Sequence, residues 1–452
     1  MSVPDDLLRL VRTWGRLPAG EVARRLGISR PTLTRAVHAL DSKIVVRGRA
    51  RRTAYAARRA VRGGLRDYPL YSIDANAKVE EVAALTPLQP QGTAVAFRAA
   101  LAWPLDPAMQ DGWFDGLPYP MEDMRPQGFL GRSFARVHAA LLQVSTDPRQ
   151  WSEDDVLHSL SVLGSDQPGA YIVGEAALRE WFNRRQDDPP SIADDELDRA
   201  YPGLAAEAMQ DRFAGSSAGG EFPKFTAVRR TRGEYAHVIV KFSGSDEAPG
   251  TLRWSDLLVC EHLAARTLRD RLKVDAADSA IHKFGGRTFL EVKRFDRHGA
   301  HGRSQVCSWF ALNAALFGMA GAGWSAGAQA LEAAGHVDRD TKDRIELLWH
   351  FGRLIGNTDM HDGNLSFRPG LQLAPAYDML PMTYAPERGV EVPERAFQPA
   401  LPLPAERSAW ARAVPAAEFF WRAAADDDRI STAFRRICEA NAERLKRMAS
   451  EG

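Results

Sequence analysis

The sequence contains little cysteine. Its three cysteines, Cys260, Cys307 and Cys438, lie far apart and include no CxxC pair. This spacing excludes a disulfide scaffold and the usual zinc-binding patterns. We therefore predict that all three are reduced and buried.

Long apolar runs are also absent. No segment reaches the ~18 uncharged apolar residues that a membrane-spanning helix needs. The N-terminal sequence MSVPDDLLRLVRTWGRL lacks the apolar core and the small-residue cleavage site of a secretion signal. These absences predict a cytoplasmic protein without membrane contact.

Net charge is nearly absent as well, because 59 Lys and Arg residues face 58 Asp and Glu residues, which gives +1. A chain of 452 residues with 45% hydrophobic content suits roughly two to four globular domains. The balance hides a local excess, since residues 41–66 carry many cations and Asp41 as the single acidic residue. The N-terminal region therefore has an electrostatic character of its own.

Residues 17–40 predict two short helices joined by a tight turn. Gly27 permits a left-handed turn, Ser29 can cap the second helix, and Leu33 and Leu40 repeat on its apolar face. This pattern is typical of a helix-turn-helix, whose second helix enters the major groove of DNA. The outward side chains that we expect to contact DNA are Arg30, Thr32 and Arg35.

A basic turn between two strand-like runs follows. Residues 44–46 and 53–56 predict strands, and the connecting RGRARR would form the tip of a hairpin like the wing of a winged helix. Arginines there can neutralise DNA phosphates. The four in question are Arg47, Arg49, Arg51 and Arg52. The alternative is a helical hairpin for protein contacts with a solvated basic loop.

Four further elements occur in an order that suits phosphoryl transfer. The first is the run GSSAGGEFPK at residues 215–224, where backbone amides such as those of Gly219 and Gly220 can approach phosphate oxygens. The second is the predicted strand YAHVIVK, which ends in Lys241, a candidate contact for nucleotide phosphates. Glu261, in the following helical stretch, is the candidate partner of that lysine. Alone, the first run is an ordinary turn and Glu261 a solvated helix charge.

The third element is TFLEVKRFDR at residues 288–297, a predicted strand that runs into a polar connector. It has the pattern of a hinge between two lobes. Backbone groups around Val292 and Lys293 would meet an adenine edge, while Phe295 packs nearby. Phe295 can equally belong to an ordinary core.

The fourth element is the most specific: LIGNTDMHDGNLSF at residues 354–367, then AYDML at 376–380. Asp359 and Asn364 are five positions apart, as in a kinase catalytic loop, where the aspartate accepts the hydroxyl proton and the asparagine binds magnesium. Asp378 follows a predicted strand-turn-strand and adds the carboxylate that magnesium needs. We expect His361 to pack the loop. A polar turn between two helices is the alternative for the whole run.

These motifs resemble the HipA-type serine/threonine kinases. GNTDMHDGNLSF and AYDML are similar to the catalytic and metal-binding loops of that family, and SAGGEFPK, VIVKF, CEHLAARTL and EVKRFDR resemble its other motifs in the same order. The likeness extends from about residue 215 to residue 380. With the basic module in front, the chain resembles the YjjJ (HipH) branch, which carries its DNA-binding region on the same chain.

The resemblance implies an α+β fold with three parts. These are an N-terminal winged helix-turn-helix at residues 1–66, an N-terminal kinase lobe with a HipA-like N-terminal subdomain at 67–300, and a mainly helical C-terminal lobe at 301–452. Within that lobe, residues 405–448 fit helices interrupted at Pro415.

The resemblance also implies ATP and Mg²⁺ as cofactors, with Asp359 as catalytic base, Asn364 and Asp378 as metal ligands, and Lys241 as the phosphate contact. Ser217, with Ser216 as the alternative, resembles the loop serine that such kinases autophosphorylate. A phosphate there adds a charge of about −1.5 to −2 and would switch the enzyme off. Many relatives have a lysine where this chain has Gly363, so no role of that lysine carries over.

The implied function is transfer of the ATP γ-phosphate to a protein hydroxyl, by a toxin of a toxin-antitoxin system that acts on a component of translation. One alternative is a DNA-binding transcriptional regulator with a ligand-sensing kinase-like domain. A small-molecule kinase of the aminoglycoside type shares the Asp-to-Asn spacing and is another. Two-fold sites, which many helix-turn-helix proteins bind, favour a homodimer. A separate antitoxin stays an open alternative.

Overall fold

The computed structural model describes residues 2–210, 222–387, 391–399 and 401–451. The chain forms two compact units. The first consists of Met1–Arg125 and His138–Asp187, and the second of Pro126–Val137 and Asp188–Gly452. This division does not decide the three domain boundaries expected from the sequence, which stay a prediction.

The first unit begins with three helices and a small antiparallel sheet of order β1-β3-β2. Leu7, Val11, Val22 and Leu33 form the buried core between these elements. The helices are α1 (Val3–Trp14), α2 (Ala19–Leu26) and α3 (Arg30–Leu40), and the strands are β1 (Leu17–Pro18), β2 (Ile44–Arg47) and β3 (Ala54–Ala57).

The turn between α2 and α3 has the local causes that the sequence predicts. Gly27 has φ of +64°, a left-handed conformation that glycine adopts without steric cost. The Ser29 hydroxyl accepts a hydrogen bond from the Thr32 N–H and so caps α3. The two strands and the basic turn expected after α3 are present as β2, residues 48–53 and β3.

A five-stranded antiparallel sheet of order β7-β6-β5-β4-β8 occupies the rest of the first unit. Val45 and Ala56 of the small sheet pack in one core with Leu88, Ala94 and Trp113. The strands are β4 (Tyr68–Ile73), β5 (Val79–Pro87), β6 (Thr93–Phe97), β7 (Trp113–Phe114) and β8 (Tyr171–Val173), and the helices are α4 (Pro107–Gln110), α6 (Glu153–Leu163) and α7 (Glu175–Arg184). Helix α5 (Gly128–Leu142) has residues in both units.

The second unit contains a five-stranded sheet of order β12-β13-β11-β10-β9, in which only the β9–β10 pair is parallel. Side chains alternate between its faces. Val238, Val240 and Phe242 pack against α8, so the residues between them point to the other face. The strands are β9 (Ile192–Ala193), β10 (Lys224–Thr231), β11 (Glu234–Phe242), β12 (Ser279–Phe284) and β13 (Arg287–Lys293), and the helices are α8 (Leu197–Gln210) and α9 (Pro249–Thr267).

The remainder of the second unit is mainly helical. Its strands are short. A two-stranded sheet consists of β14 (Arg297–His298) and β15 (Gly302–Arg303), and a three-stranded sheet consists of β16 (Cys307–Ser308), β17 (Ser366–Arg368) and β18 (Gln372–Leu373). Its helices are α10 (Trp309–Leu316), α11 (Gly323–Ala333), α12 (Arg339–Leu354), α13 (Arg407–Asp426) and α14 (Thr432–Glu451).

The expected interruption at Pro415 is wrong. Helix α13 continues through Pro415 and ends only at Asp426. Val414, Ala416, Phe420 and Trp421 are buried along this helix, and their packing outweighs the hydrogen bond that a proline inside a helix removes.

The prediction for the three cysteines agrees with the structure. Cys260, Cys307 and Cys438 are buried free thiols. Within the described ranges, none of the helices is both long and apolar enough to cross a membrane.

Candidate active site

Lys241 lies near the end of β11 on the face opposite the α8 core, and its side chain is only 7% exposed. Its ammonium donates to both carboxylate oxygens of Glu261, at 2.8 and 2.9 Å. Glu261 belongs to α9, which packs against β11, β12 and β13 and is buried along most of its length. The same ammonium contacts Oδ1 of Asp378. One buried cation thus joins a strand, a helix and a distant loop.

The charge of Lys241 is set by opposing effects. Burial lowers the pKa of its ammonium, and the nearby charge of Lys224 acts in the same direction, while the carboxylates of Glu261 and Asp359 raise it. Together these effects lower the pKa of Lys241. An anion bound beside the ammonium would raise this pKa, because a negative charge favours the protonated lysine.

Lys224 is the direct cross-strand partner of Lys241, on β10. Residues paired in this way share a face of the sheet, so both lysines point to the same side. An anion between or beside two adjacent cations offsets their mutual repulsion. Lys224 is the last residue of the Gly-rich run, and the sequence alone does not indicate that it lies beside Lys241.

The predicted hinge residues differ in their surroundings. Val292 lies on the same face as Lys241 and lines one pocket together with Glu261 and Asp378. Lys293 is exposed on the other face, and its N–H donates to the Asp278 carbonyl at 2.8 Å. Phe295 packs against Tyr377, with 5.9 Å between ring centroids. Val292 and Phe295 are therefore near the pocket, whereas the Lys293 side chain points away from it.

The loop that carries Asp359 starts from the C-terminus of α12. Gly356 has φ of +74°, its N–H donates to the Arg353 carbonyl at 3.2 Å, and the N–H of Asn357 donates to the Gly352 carbonyl at 2.8 Å. This pair of bonds is a Schellman motif, which ends a helix at a left-handed glycine. The motif turns the chain so that Asn357 is buried under the loop, with 6% exposure.

The three predicted catalytic and metal-binding residues lie in two loops that hydrogen bonds connect. The Asn364 amide donates to the Asp359 carbonyl at 2.9 Å, which closes the first loop. Asn357 accepts from the Asp359 N–H at 3.0 Å and donates to the Asp378 carbonyl at 3.3 Å. The Asp359 side chain is exposed, and Asn364 and Asp378 are half-buried. Asp378 has φ of +54°, a conformation that aspartate adopts more readily than most residues.

Neighbouring elements hold the first loop in place. The Tyr377 hydroxyl donates to the Gly363 carbonyl at 2.8 Å, and the Asn313 amide donates to Oδ2 of Asp362 at 2.9 Å. His361 accepts the Gly363 N–H on Nδ1 at 3.1 Å, and a Cβ at Gly363 would lie 2.9 Å from its ring. His361 therefore packs the loop, as expected, and uses the space that a side chain at position 363 would need.

Sequence reasoning missed Asn357 and Tyr377, whose side chains bond to the backbone of the two loops. The Gly-Asn pair after a helical pattern is a visible signal for the turn at Asn357. The contact of Tyr377 with Gly363 depends on how β17 and β18 fold back, which no local pattern indicates.

Four of the expected site residues, Gly219, Gly220, Ser216 and Ser217, lie outside the described residues. The structure resumes at Phe222, whose ring packs edge-to-face on Trp254 of α9 with 4.6 Å between centroids. The Pro223 carbonyl then accepts from the Phe242 N–H at 3.1 Å. The described end of this run, residues 222–224, leads directly into β10 beside Lys241.

The donor atoms suit magnesium bound together with phosphates. In the part of the chain that the structure describes, no three His, Cys, Asp or Glu side chains form a group that would hold a metal by themselves. Magnesium commonly needs only one or two protein ligands besides water and substrate phosphates. Asp378 supplies a carboxylate, and the bond from the Asn364 amide nitrogen leaves the Asn364 Oδ1 oxygen to face a cation. The residues present fit this metal.

The residues expected to contact DNA differ in their exposure and in their contacts with other residues. Arg30, Arg35, Arg49 and Arg51 are exposed. Thr32 bonds to Ser29 and Arg35, and Arg47 is half-buried and donates to its neighbour's carbonyl, while burial lowers its pKa. Arg52 is exposed but forms an ion pair with Asp111 at 3.2 Å.

Other arginines of the basic segment are paired with acids of the same unit. Arg58 contacts Asp67 at 2.6 Å, Arg59 contacts Asp154 at 2.9 Å, and Arg62 contacts Asp155 at 2.6 Å. These side chains fasten the segment to the following sheet and helices. Among the residues expected to contact DNA, the exposed arginines lie on α3 and on the β2–β3 turn.

Two family models match the sequence. The YjjJ-like toxin, middle domain, matches residues 65–182, and the HipA-like C-terminal domain matches residues 216–448. The second match spans more than half of the chain and contains Lys241, Glu261, Asp359, Asn364 and Asp378.

Known proteins agree with these models. Toxin YjjJ of Escherichia coli (strain K12) is 37% identical over 455 residues, which cover 99% of this chain and 98% of the relative. The HipA structure from the Shewanella oneidensis MR-1 toxin-antitoxin complex of HipA, HipB and operator DNA matches with a TM-score of 0.53 and 16% identity, over 84% of this chain and 99% of that chain. The structural match shows a HipA-like fold. The sequence matches confirm the resemblance: this chain belongs to the HipA-like toxin family, in its YjjJ-like branch.

Proposed function

We propose that the chain is an ATP-dependent serine/threonine protein kinase with a DNA-binding module at its N-terminus. The observation that carries the proposal is the contact of the Lys241 ammonium with both Glu261 and Asp378. A lysine–glutamate pair beside a metal-binding aspartate is the arrangement that kinases use to hold nucleotide phosphates. The hydrogen bonds that tie Asp359 and Asn364 to the Asp378 loop add to this support.

The proposed reaction is direct transfer. The hydroxyl oxygen of the acceptor attacks the γ-phosphorus, the bond from that phosphorus to the β–γ bridging oxygen breaks, and ADP leaves. The Asp359 carboxylate accepts the hydroxyl proton. Because Asp359 is exposed and fixed by its own N–H, its carboxylate is free to approach an acceptor hydroxyl from solvent.

The remaining residues bind and orient the nucleotide. Lys241 and Lys224 contact the phosphates, and Val292 with the connector near Phe295 borders the adenine. Asn364 and Asp378 hold Mg²⁺, which when bound neutralises charge on the phosphate oxygens. Glu261 keeps Lys241 in position.

Self-modification is proposed at the Gly-rich run, on the resemblance of its serines. After phosphatase treatment, incubation with Mg²⁺ and ATP is expected to place phosphate on Ser217 or Ser216, which peptide mass spectrometry can locate. The variant S216A/S217A should remain unmodified there. Phosphate found only at other positions would contradict this part of the proposal, while absence of any transfer would contradict the kinase itself.

The first 66 residues are proposed to be a winged helix-turn-helix that binds DNA. Helix α3 offers Arg30 and Arg35 to a groove, and the β2–β3 turn offers Arg49 and Arg51 to phosphates. The ion pairs of Arg58, Arg59 and Arg62 make these three side chains poor candidates for phosphate contacts.

The variant R49A/R51A is expected to weaken binding to a duplex of random sequence. Each lost phosphate contact lowers the slope of log affinity against log salt by about 0.9, so two lost contacts lower it by about 1.8. Fluorescence anisotropy at several salt concentrations measures the slope. The control R179A/R199A removes two exposed arginines outside the module and should keep the parent slope. Equal slopes for all three proteins would contradict a role of the β2–β3 turn.

Partners and physiological role follow from the relatives by analogy. A toxin role is proposed because the E. coli relative is named a toxin, and DNA with an antitoxin-like protein are proposed partners because the HipA structure contains HipB and operator DNA. The proposed location is the cytoplasm. A DNA-binding regulator with a ligand-sensing kinase-like region is the second candidate, favoured by the exposed arginines of α3 and the β2–β3 turn. It predicts DNA binding without phosphoryl transfer.

A further inference from the structure

The Asn357 side chain bonds to both loops of the candidate active site. Its Oδ1 accepts from the Asp359 N–H at 3.0 Å, and its Nδ2 donates to the Asp378 carbonyl at 3.3 Å and lies 3.5 Å from the Met379 sulfur. Its own N–H is used by the Schellman motif that ends α12. Backbone and side chain are therefore both fixed, and with 6% exposure the amide is shielded from water.

These contacts reach the backbone beside the reactive groups and not the groups themselves. The Asp359 N–H and the Asp378 carbonyl each lie a few bonds from the carboxylate of the same residue, so the Asn357 amide connects the backbone segments that carry the two carboxylates. Packing below it is tight, because a Cβ at Gly352 of α12 would lie 2.4 Å from the Met360 sulfur and 2.9 Å from the Met379 sulfur. The two loops rest on one helix and share one amide.

We infer that Asn357 is a positioning residue that fixes the distance between the base-bearing loop at Asp359 and the metal-bearing loop at Asp378. The inference rests on the proposed kinase function and assigns Asn357 a role through its neighbours, without contact to substrate or metal. Such supporting residues typically change metal affinity or activity by about 10–100-fold when they are replaced.

The test compares Asn357→Ala and Asn357→Asp with the control Asn441→Ala. The alanine variant loses both bonds, whereas the aspartate variant keeps an oxygen for the Asp359 N–H and loses the donor to the Asp378 carbonyl. Asn441 is an equally buried amide of the same unit, on α14, whose partner is the Tyr384 hydroxyl at 2.9 Å. The control thus removes a buried amide and its bonds without touching either loop.

The first readout is binding of a fluorescent, non-hydrolysable ATP analogue to the full chain as Mg²⁺ is titrated. Both Asn357 variants are expected to need about 10–100-fold more Mg²⁺ for half-maximal binding. Binding of the analogue without Mg²⁺, and the KM for ATP at saturating Mg²⁺, should stay near parent values, while kcat falls. Asn441→Ala should keep the parent Mg²⁺ dependence. Thermal unfolding of each variant verifies that it is folded.

Three results would overturn the inference. Parent-like Mg²⁺ dependence and kcat in Asn357→Ala would overturn it and leave the kinase proposal intact. An equal rise in the Mg²⁺ requirement of Asn441→Ala would also overturn the inference and leave the kinase proposal intact. Loss of any buried amide in this unit would then explain the effect. Absence of Mg²⁺-dependent nucleotide binding in the parent chain would overturn the proposed function, and this inference with it.

Discussion

Asp359→Asn is expected to lower γ-phosphoryl transfer by about 10²–10⁴-fold, the usual contribution of a positioned acid or base. The substitution keeps the shape of the side chain and removes its ability to accept the hydroxyl proton. The backbone bond from Asp359 to Asn357 and the bond from Asn364 do not involve the carboxylate, so the loop should keep its conformation. Steady-state transfer from ATP measures the loss in kcat, and ATP binding should be unchanged.

Asp362→Asn is the matched control for this result. Asp362 lies in the same loop and carries the same charge, but its carboxylate accepts from the Asn313 amide and the amide oxygen of an asparagine can replace it there. We expect the control to retain nearly full transfer. An equal loss in both variants would indicate that any charge in the loop matters, and would remove Asp359 from the role of base.

Lys241→Met is expected to abolish transfer and also to lower the free energy of unfolding by about 3–5 kcal/mol, the cost of breaking a buried ion pair from one side. Lys241 and Glu261 are each 7% exposed, and Asp378 contacts the same ammonium. Methionine fills similar space without charge, so the Glu261 carboxylate would remain buried without a cation. Transfer would be lost because the phosphates lose their buried contact. Chemical denaturation measures the first effect and the transfer assay the second.

The double variant K241M/E261M separates these two effects. With both charges removed, the buried carboxylate is gone and most of the lost stability should return, because replacing a buried ion pair by apolar residues of similar volume is often close to neutral. Transfer should stay absent. A double variant as active as the parent would contradict the role of Lys241 at the phosphates, and a single variant as stable as the parent would contradict the uncompensated burial of Glu261.

Much of the candidate site could be predicted because its elements are locally encoded. Alternating apolar residues before Lys241 indicate β11, and the helix that bears Glu261 is continuous in the sequence, so their meeting follows from the order of the elements. The spacing of Asp359 and Asn364 is set within one loop, where the hydrogen bond between them is also local. Their chemical roles stay predictions until transfer is measured.

Features that depend on distant partners could not be predicted. Strand β9 has two residues and exists because Ile192 and Ala193 pair with Arg229 and Arg230 of β10. Arg58 and Arg49 look alike in a basic run, yet one is paired with Asp67 and the other is exposed. The continuation of α13 through Pro415 depends on burial of its neighbours by other helices.

The most direct test of the account treats the intact chain with phosphatase, removes the phosphatase, and adds Mg²⁺ with γ-labelled ATP, with Asp359→Asn as the parallel sample. Protein-bound label and ADP are counted in the same reactions. The account predicts that both form with the intact chain, require Mg²⁺, and nearly vanish in the variant. An intact chain that binds ATP but forms neither ADP nor label, or a variant that forms both as fast as the parent, would contradict it.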